Sequence, residues 1–202
     1  PFWLTTLIIL LMILLYTFEG GVKTIVWTDT LQTTCMLLGL IICVIYILKS
    51  LNLGFSEGLN KLSENGFTKM FVWDPGSRLF FVKQVLAGAF ITVTMTGMDQ
   101  EMMQKNISVK NLKDSRKNML SFAFIQAAVV LLFLFLGGLL YIYGSANGIQ
   151  TSPDKLFPTI ALSDKMPHII SIIFIIALIS ALFPSADGAI TALTSSFCID
   201  IL

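Results

Sequence analysis

The sequence predicts an all-α integral membrane protein that crosses the bilayer five times. Of its 202 residues, 55% are hydrophobic and only 12% are charged, a balance that is not typical of a water-soluble domain. Five apolar runs reach or approach the roughly 20 residues that a helix needs to cross the hydrocarbon core. The net charge is only +1, so the chain lacks the basic surplus that nucleic acid requires. We therefore expect the lipid bilayer as a partner and exclude nucleic acid.

Each predicted helix is defined by one of these apolar runs. In chain order the helices cover about residues 2–18, 23–48, 77–103, 119–143 and 168–202. The first has no basic leader or small-residue cleavage site, so it is not interpreted as a signal peptide. The fifth is longer than one bilayer thickness and must tilt, kink or protrude. We expect the whole chain, 1–202, to belong to a single transmembrane domain.

The connections between the helices differ in charge, which predicts the orientation. The loop 104–118 carries five Lys and Arg residues and one Asp, and it is therefore expected to be cytoplasmic. Alternation then places a turn at Glu19-Gly20-Gly21 inside and the connections 49–76 and 144–167 outside. Within the outer connections, Phe55, Leu59 and Leu62 have helical spacing, and Pro153 is predicted to start a short helix that ends before Pro158. We expect a multi-pass protein of the plasma (inner) membrane.

The second predicted helix carries a polar face. Asp29, Gln32 and Thr33 share one side of this helix and bring together a carboxylate, an amide and a hydroxyl. An ionisable group within a membrane span costs a few kcal/mol, so it requires a partner, a water-filled cavity or a function. Asp29 is therefore a candidate functional carboxylate; the alternative is a solvated interfacial carboxylate near Lys23.

The fifth predicted helix contains a proline within its span. Pro184 has no N–H to donate to the carbonyl of Ser180, so this oxygen is free to bind a small hard cation. Asp187 lies on a polar stripe beside a row of small residues, namely Ala181, Ser185, Gly188, Ala189 and Ala192. The alternative interpretation of these small residues is a seam for packing against another helix.

The third predicted helix contains residues that weaken a helix. Gly88 and Gly97 accompany the hydroxyls of Thr92, Thr94 and Thr96 in its middle and its cytoplasmic half. Transporters use unwound helices of this kind to expose backbone dipoles to a solute. The alternative is an ordinary span whose hydroxyls bond back to their own helix.

Enzymatic chemistry is not indicated. The single histidine, His168, sits beside Pro167 at a helix start, and the sequence contains no catalytic triad, HExxH motif or phosphate loop. Cys35, Cys43 and Cys198 lie in apolar runs without paired spacing, so they are expected to be packing thiols. We expect neither catalysis nor an organic cofactor.

Several segments of the chain form a recognisable series. The first is the stretch from Gly20 to Gln32 (GGVKTIVWTDTLQ), and the others are Asp99-Gln100, Gln104-Lys105, Lys110-Asn111, Leu156-Phe157-Pro158, Ser185-Ala186-Asp187 and Phe197-Cys198-Ile199-Asp200-Ile201. Taken in order, these segments resemble the sodium:solute symporter family, which includes the sodium/glucose and sodium/proline cotransporters, and the first segment is highly specific. The resemblance implies an inverted-repeat transporter core of ten helices, of which these five are similar to helices 4 to 8. It also implies that the chain is a fragment, whose first core helix lies upstream.

The resemblance further implies a sodium site. In family members a backbone carbonyl and two serine hydroxyls bind sodium, and their positions correspond to Ala181, Pro184 and Ser185. Because Pro184 lacks a hydroxyl, we expect the Ser180 carbonyl or Asp187 to compensate. Asp29 is similar to the carboxylate that forms a second sodium or proton site in some relatives. The sodium candidates are therefore Asp29, Ser180, Ala181, Ser185 and Asp187.

The resemblance also implies a solute site on the third helix. Sugar-transporting relatives place an aromatic pair where this chain has Met95 and Thr96, and an amide near Thr92. Without those rings a glucose-like solute is disfavoured, and carboxylates, amino acids, sialic-acid-like compounds, polyols and other sugars remain. The predicted function is sodium-coupled import of a small organic solute by alternating access. The alternatives are a membrane sensor that retains a transporter-like core and a transporter that uses protons in place of sodium.

Overall fold

The computed structural model describes residues 2–99, 102–103, 109–149 and 151–201, except for the side chains at 2, 16–26, 28, 182–185, 187, 191 and 200. Every regular element within these ranges is helical, which confirms the all-α class. The helices are α1 (Phe2–Ser50), α2 (Phe55–Glu64), α3 (Phe81–Gly97), α4 (Leu112–Ala146), α5 (Pro153–Ala161) and α6 (His168–Ser196), followed by a π-helical segment (Phe197–Ile201).

Two helices are long and apolar enough to cross a membrane. They are the second part of α1, Asp29–Ser50, and α4. Shorter apolar stretches occur in the first part of α1, in α3 and in α6. That the chain crosses the membrane five times therefore stays a prediction. The structure does show that these stretches are apolar and helical.

The first two predicted helices form one helix. α1 continues through Glu19-Gly20-Gly21, where the sequence predicts a turn, and its 49 residues extend for about 73 Å. A glycine in a helix costs only about 1 kcal/mol relative to alanine, and this stretch contains no proline that removes a backbone donor. The predicted turn at these residues is therefore wrong, because the apolar runs on both sides sustain the helix.

α3 and α4 also differ from their predicted bounds. α3 is an uninterrupted helix of 17 residues, shorter than the predicted 77–103. The hydroxyls of Thr92 and Thr94 donate to the carbonyls of Gly88 and Phe90 at 2.8 and 2.5 Å, so the hydroxyls bond back to their own helix and the predicted unwinding is wrong. α4 begins at Leu112, not at Met119, which makes the second half of the predicted loop 104–118 helical.

The short helices predicted within the connections 49–76 and 144–167 are confirmed. α2 starts at Phe55 with the Gly54 amide donating to Glu57 Oε2 at 2.8 Å. α5 starts at Pro153 as predicted, but it continues through Pro158 to Ala161. Proline in this position lacks only one helical donor, and the Leu162 amide donates to the Pro158 carbonyl at 3.0 Å.

The helices group into two compact units. The first unit contains residues 1–51 and 140–202, and the second contains residues 52–139. In the first unit, the buried side chains of α1 are Ile13 and a group that follows Gly39, and those of α6 include Ile170 and Phe174. The Phe157 ring of α5 packs edge-on against Phe174 with centroids 4.7 Å apart. In the second unit, Leu62 of α2 is buried against Gly138 of α4, and the Phe55 and Phe135 rings lie 4.9 Å apart.

Candidate functional site

Two oxygen atoms on the polar face of α1 are buried. Asp29 and Gln32 are half-buried, and Asp29 Oδ1 and Gln32 Oε1 are both shielded from solvent. Within the described part of the chain, Gln32 Oε1 has no hydrogen-bond partner. Trp27 and Leu31, which lie on other sides of the helix, are 72% and 67% exposed. The inward face therefore presents oxygen atoms within an otherwise apolar helix.

α1 and α6 approach each other closely at Gly39. A Cβ atom placed on Gly39 would lie 3.2 Å from both Ala177 Cβ and Ile173 Cγ2. On α1 the buried residues near this contact follow Gly39, whereas on α6 Ile170 and Phe174 precede Ala177. This pattern indicates that the two helices run antiparallel, because buried residues then face each other on the same side of the contact.

Because α1 and α6 are antiparallel, Asp29 lies level with the second half of α6 along the helix pair. Asp29 lies about three turns before Gly39, and Ser185 lies about three turns after the Ile173–Ala177 contact. The backbones of residues 29 and 185 are therefore at a similar height along the helix pair. The side chains of Ser185 and Asp187 lie outside the described residues.

The other two sodium candidates, Ser180 and Ala181, precede Ser185 on α6. Ser180 is half-buried and Ala181 is exposed. The α6 backbone is helical through residue 184, where proline has no N–H to donate to the Ser180 carbonyl. A carboxylate, an amide oxygen and a freed carbonyl are thus available on two packed helices, and hard cations accept all three as ligands.

The solute candidates lie on one face of α3. Thr92, Met95 and Thr96 are spaced three and four residues apart, which places them on the same side of the helix. Met95 is 66% exposed, Thr96 is half-buried, and the hydroxyl of Thr92 is bonded to the Gly88 carbonyl. These residues belong to the second compact unit, and Asp29, Ser180 and Ala181 belong to the first.

One residue of this region was not identified from the sequence. Gly39 has no polar group and lies within a uniformly apolar run, so nothing in its immediate sequence distinguishes it. The available signal is its small size, because small residues in membrane helices permit close helix packing. Among the described residues, no group of three His, Cys, Asp or Glu side chains is arranged to hold a metal ion.

Comparison with known proteins gives a consistent set of matches. Residues 2–202 match the model of the sodium:solute symporter family. The chain is 29% identical to a sodium/pantothenate symporter of Haemophilus influenzae, over 93% of this chain and 37% of the relative. It is 22% identical to a sodium/sialic acid symporter of Proteus mirabilis, over 96% of this chain and 40% of the relative.

A mammalian relative extends this set. The chain is 27% identical to sodium-coupled monocarboxylate transporter 2 of Bos taurus, over 87% of this chain and 30% of the relative. The chain therefore spans less than half the length of these curated relatives. No solved structure matches it significantly.

Proposed function

Because this chain belongs to the sodium:solute symporter family, we propose that the protein imports a small organic solute across the plasma (inner) membrane by sodium-driven alternating access. The observation that carries the proposal is the family match over residues 2–202. Family membership confirms the resemblance identified from the sequence segments. The relatives are sodium-coupled transporters and not enzymes.

The proposed sodium site lies between α1 and α6. Asp29 supplies a carboxylate that is otherwise costly within an apolar helix, and this cost is offset if the carboxylate holds a cation. The Ser180 carbonyl, left without a helical donor by Pro184, supplies a neutral oxygen in place of a missing hydroxyl. Ser185, Asp187 and the backbone of Ala181 complete the proposed set. Sodium bound there would link the two helices, so its release would allow them to change their packing.

The proposed solute is a small organic carboxylate that contacts the Thr92, Met95 and Thr96 face of α3. Pantothenate, sialic acid and monocarboxylates, the solutes named for the relatives, all carry a carboxylate group. A carboxylate requires hydrogen-bond donors, which a threonine hydroxyl supplies. The absence of an aromatic pair at Met95 and Thr96 also argues against stacking on a sugar ring.

The function is tested by measuring uptake of labelled pantothenate, sialic acid and lactate by cells that express the full-length protein. We expect accumulation of at least one of them in sodium medium and only the background of non-expressing cells in choline medium. Uptake in choline medium that follows an imposed proton gradient would replace sodium with protons as the coupling ion. No uptake of any carboxylate or other solute under either gradient would favour a sensor and contradict the proposal.

The solute site is tested by comparing two threonines of α3. Thr96→Val removes a hydroxyl from the proposed solute face, so we expect the KM for the solute to rise by about fivefold, the effect of losing one hydrogen bond of about 1 kcal/mol. Thr94→Val is the control, because Thr94 lies on the opposite face and its hydroxyl is bonded to Phe90. The measurement is the concentration dependence of sodium-driven uptake. Equal KM values for the two variants would remove this face of α3 from the solute site.

A further inference from the structure

Three aromatic rings form a cluster at the start of α3. The ring centroids of Phe71 and Phe81 are 4.9 Å apart, those of Trp73 and Phe81 are 5.6 Å apart, and Phe71 and Trp73 stack at 6.5 Å with an interplanar angle of 9°. We call Phe71, Trp73 and Phe81 the aromatic cluster. It brings the segment that precedes α3 into contact with the first residue of the helix.

Hydrogen bonds hold the backbone of this segment in place. The Phe81 amide donates to the Val72 carbonyl at 2.9 Å, and the Lys83 ammonium group donates to the Pro75 carbonyl at 2.7 Å. Between these two contacts, the Gly76 amide donates to Asp74 Oδ1 at 3.0 Å. The chain therefore folds back on the start of α3 and presents the rings in a defined arrangement.

The aromatic cluster is ordered but not covered. Trp73 is 66% exposed and Phe71 is 53% exposed, although each ring contacts the other members of the cluster. Further large apolar side chains close to the cluster in the sequence are also exposed, namely Phe67, Met70 and Leu79. The rings of Phe71 and Trp73 contact each other and are both exposed, so they form an apolar patch that, in contrast to single exposed apolar residues, indicates a surface that contacts another phase or molecule.

The patch is continuous with the apolar surface of α3. No residue of α3 is buried, and Val82, Val85 and Leu86 are exposed directly after the cluster. The 17 residues of α3 extend for about 26 Å, which is shorter than the roughly 30 Å hydrocarbon core. The aromatic cluster adds apolar surface at the amino-terminal end of α3, and this surface can cover part of the difference in length between the helix and the hydrocarbon core.

We propose that the aromatic cluster is a membrane anchor, with Trp73 and Phe71 inserted into the lipid headgroup layer at the amino-terminal end of α3. Tryptophan favours this layer because its ring is apolar while its indole N–H can bond to water or headgroups. Lys69 and Arg78 are exposed and flank Trp73 in the sequence, and their positive charges would attract lipid phosphates. The anchor rests on the insertion of α3 into the membrane as part of the proposed transporter. It holds residues 67–80 on the bilayer surface.

The anchor is tested by tryptophan fluorescence of the full-length protein in vesicles of phosphatidylcholine brominated near the headgroup end of the acyl chains. Trp73 is not the only tryptophan of the protein, so its signal is obtained as the difference between the unmodified protein and Trp73→Phe. This conservative change at an exposed site keeps an aromatic ring in the cluster. A second protein, in which every tryptophan other than Trp73 is replaced by phenylalanine, measures Trp73 directly.

We expect the Trp73 signal to be quenched more strongly by lipid brominated near the headgroups than by lipid brominated near the chain ends, and to be protected from acrylamide in the water. Quenching by acrylamide without quenching by brominated lipid would place Trp73 in solvent and overturn the proposal. Protection from both quenchers would overturn it in favour of a protein surface that covers the cluster. Because sodium dependence of uptake is a separate measurement, failure of the anchor is distinguishable from failure of the proposed transport function.

Discussion

Replacing Asp29 with Asn in the full-length protein is expected to raise the sodium concentration for half-maximal uptake by roughly 10- to 100-fold. The substitution keeps the size of the side chain and one oxygen but removes the negative charge. Interactions of a charged group typically contribute about 1.5–3 kcal/mol, which corresponds to this change in affinity. Asp29 Oδ1 is shielded from solvent, so water compensates poorly for the lost contact. The measurement is the sodium dependence of uptake at a fixed solute concentration.

The matched control is Asp164→Asn. Asp164 is exposed in the turn between α5 and α6, so the same chemical change there should leave the sodium dependence unaltered. If Ser185 binds the same ion, Ser185→Ala should also weaken sodium binding, and the effects of the two substitutions should not add. An Asp29→Asn protein that reaches the membrane and keeps the original sodium dependence would exclude Asp29 from the site.

Replacing Gly39 with Leu is expected to lower the free energy of unfolding by about 3 kcal/mol and to abolish uptake. The Cβ atom alone would lie 3.2 Å from side-chain atoms of Ile173 and Ala177, and leucine adds three further carbons in the same direction. Overpacking of a close contact forces side chains off their rotamers and moves the backbone. Here it would separate α1 from α6 and with them the proposed sodium ligands. The measurements are the thermal unfolding midpoint of the purified protein and sodium-driven uptake.

Gly88→Leu is the control for this substitution. Gly88 lies on an exposed face of α3, and a Cβ atom placed there meets no atom within 4 Å. The same increase in size should therefore leave the unfolding midpoint unchanged or raise it slightly, because glycine is a poor helix former. Gly39→Ala should have an intermediate effect. If Gly39→Leu and Gly88→Leu had equal midpoints, the close packing of α1 and α6 would be refuted.

Local properties of the chain explain which predictions from sequence succeed. The apolar runs predict helices because a backbone in lipid has to satisfy its own hydrogen bonds, and every regular element in the described ranges is helical. The spacing of Phe55, Leu59 and Leu62 predicts α2 because residues three and four apart share a helix face. The same rule places Asp29 and Gln32 together, and both are half-buried in the structure.

The predictions that failed concern competing interactions of similar energy. Gly20 and Gly21 favour a turn, but their effect is small compared with the helical preference of the apolar runs on both sides. The hydroxyls of Thr92 and Thr94 can either leave the backbone carbonyls of α3 free for a solute or donate hydrogen bonds to them. In the structure both hydroxyls donate to these carbonyls. Pro158 was expected to follow the end of α5, yet the helix includes it because only one backbone donor is lost.

The sequence by itself determined the helical class, the family and the polar face at Asp29 and Gln32, because composition, motif and helical spacing are all properties of the linear chain. Only the tertiary structure decided that α1 meets α6 at Gly39 and that the aromatic cluster folds back on α3. Both depend on contacts between residues that are distant in sequence or joined by an irregular segment. Such contacts are selected by the shapes of whole surfaces and not by the residue types at single positions.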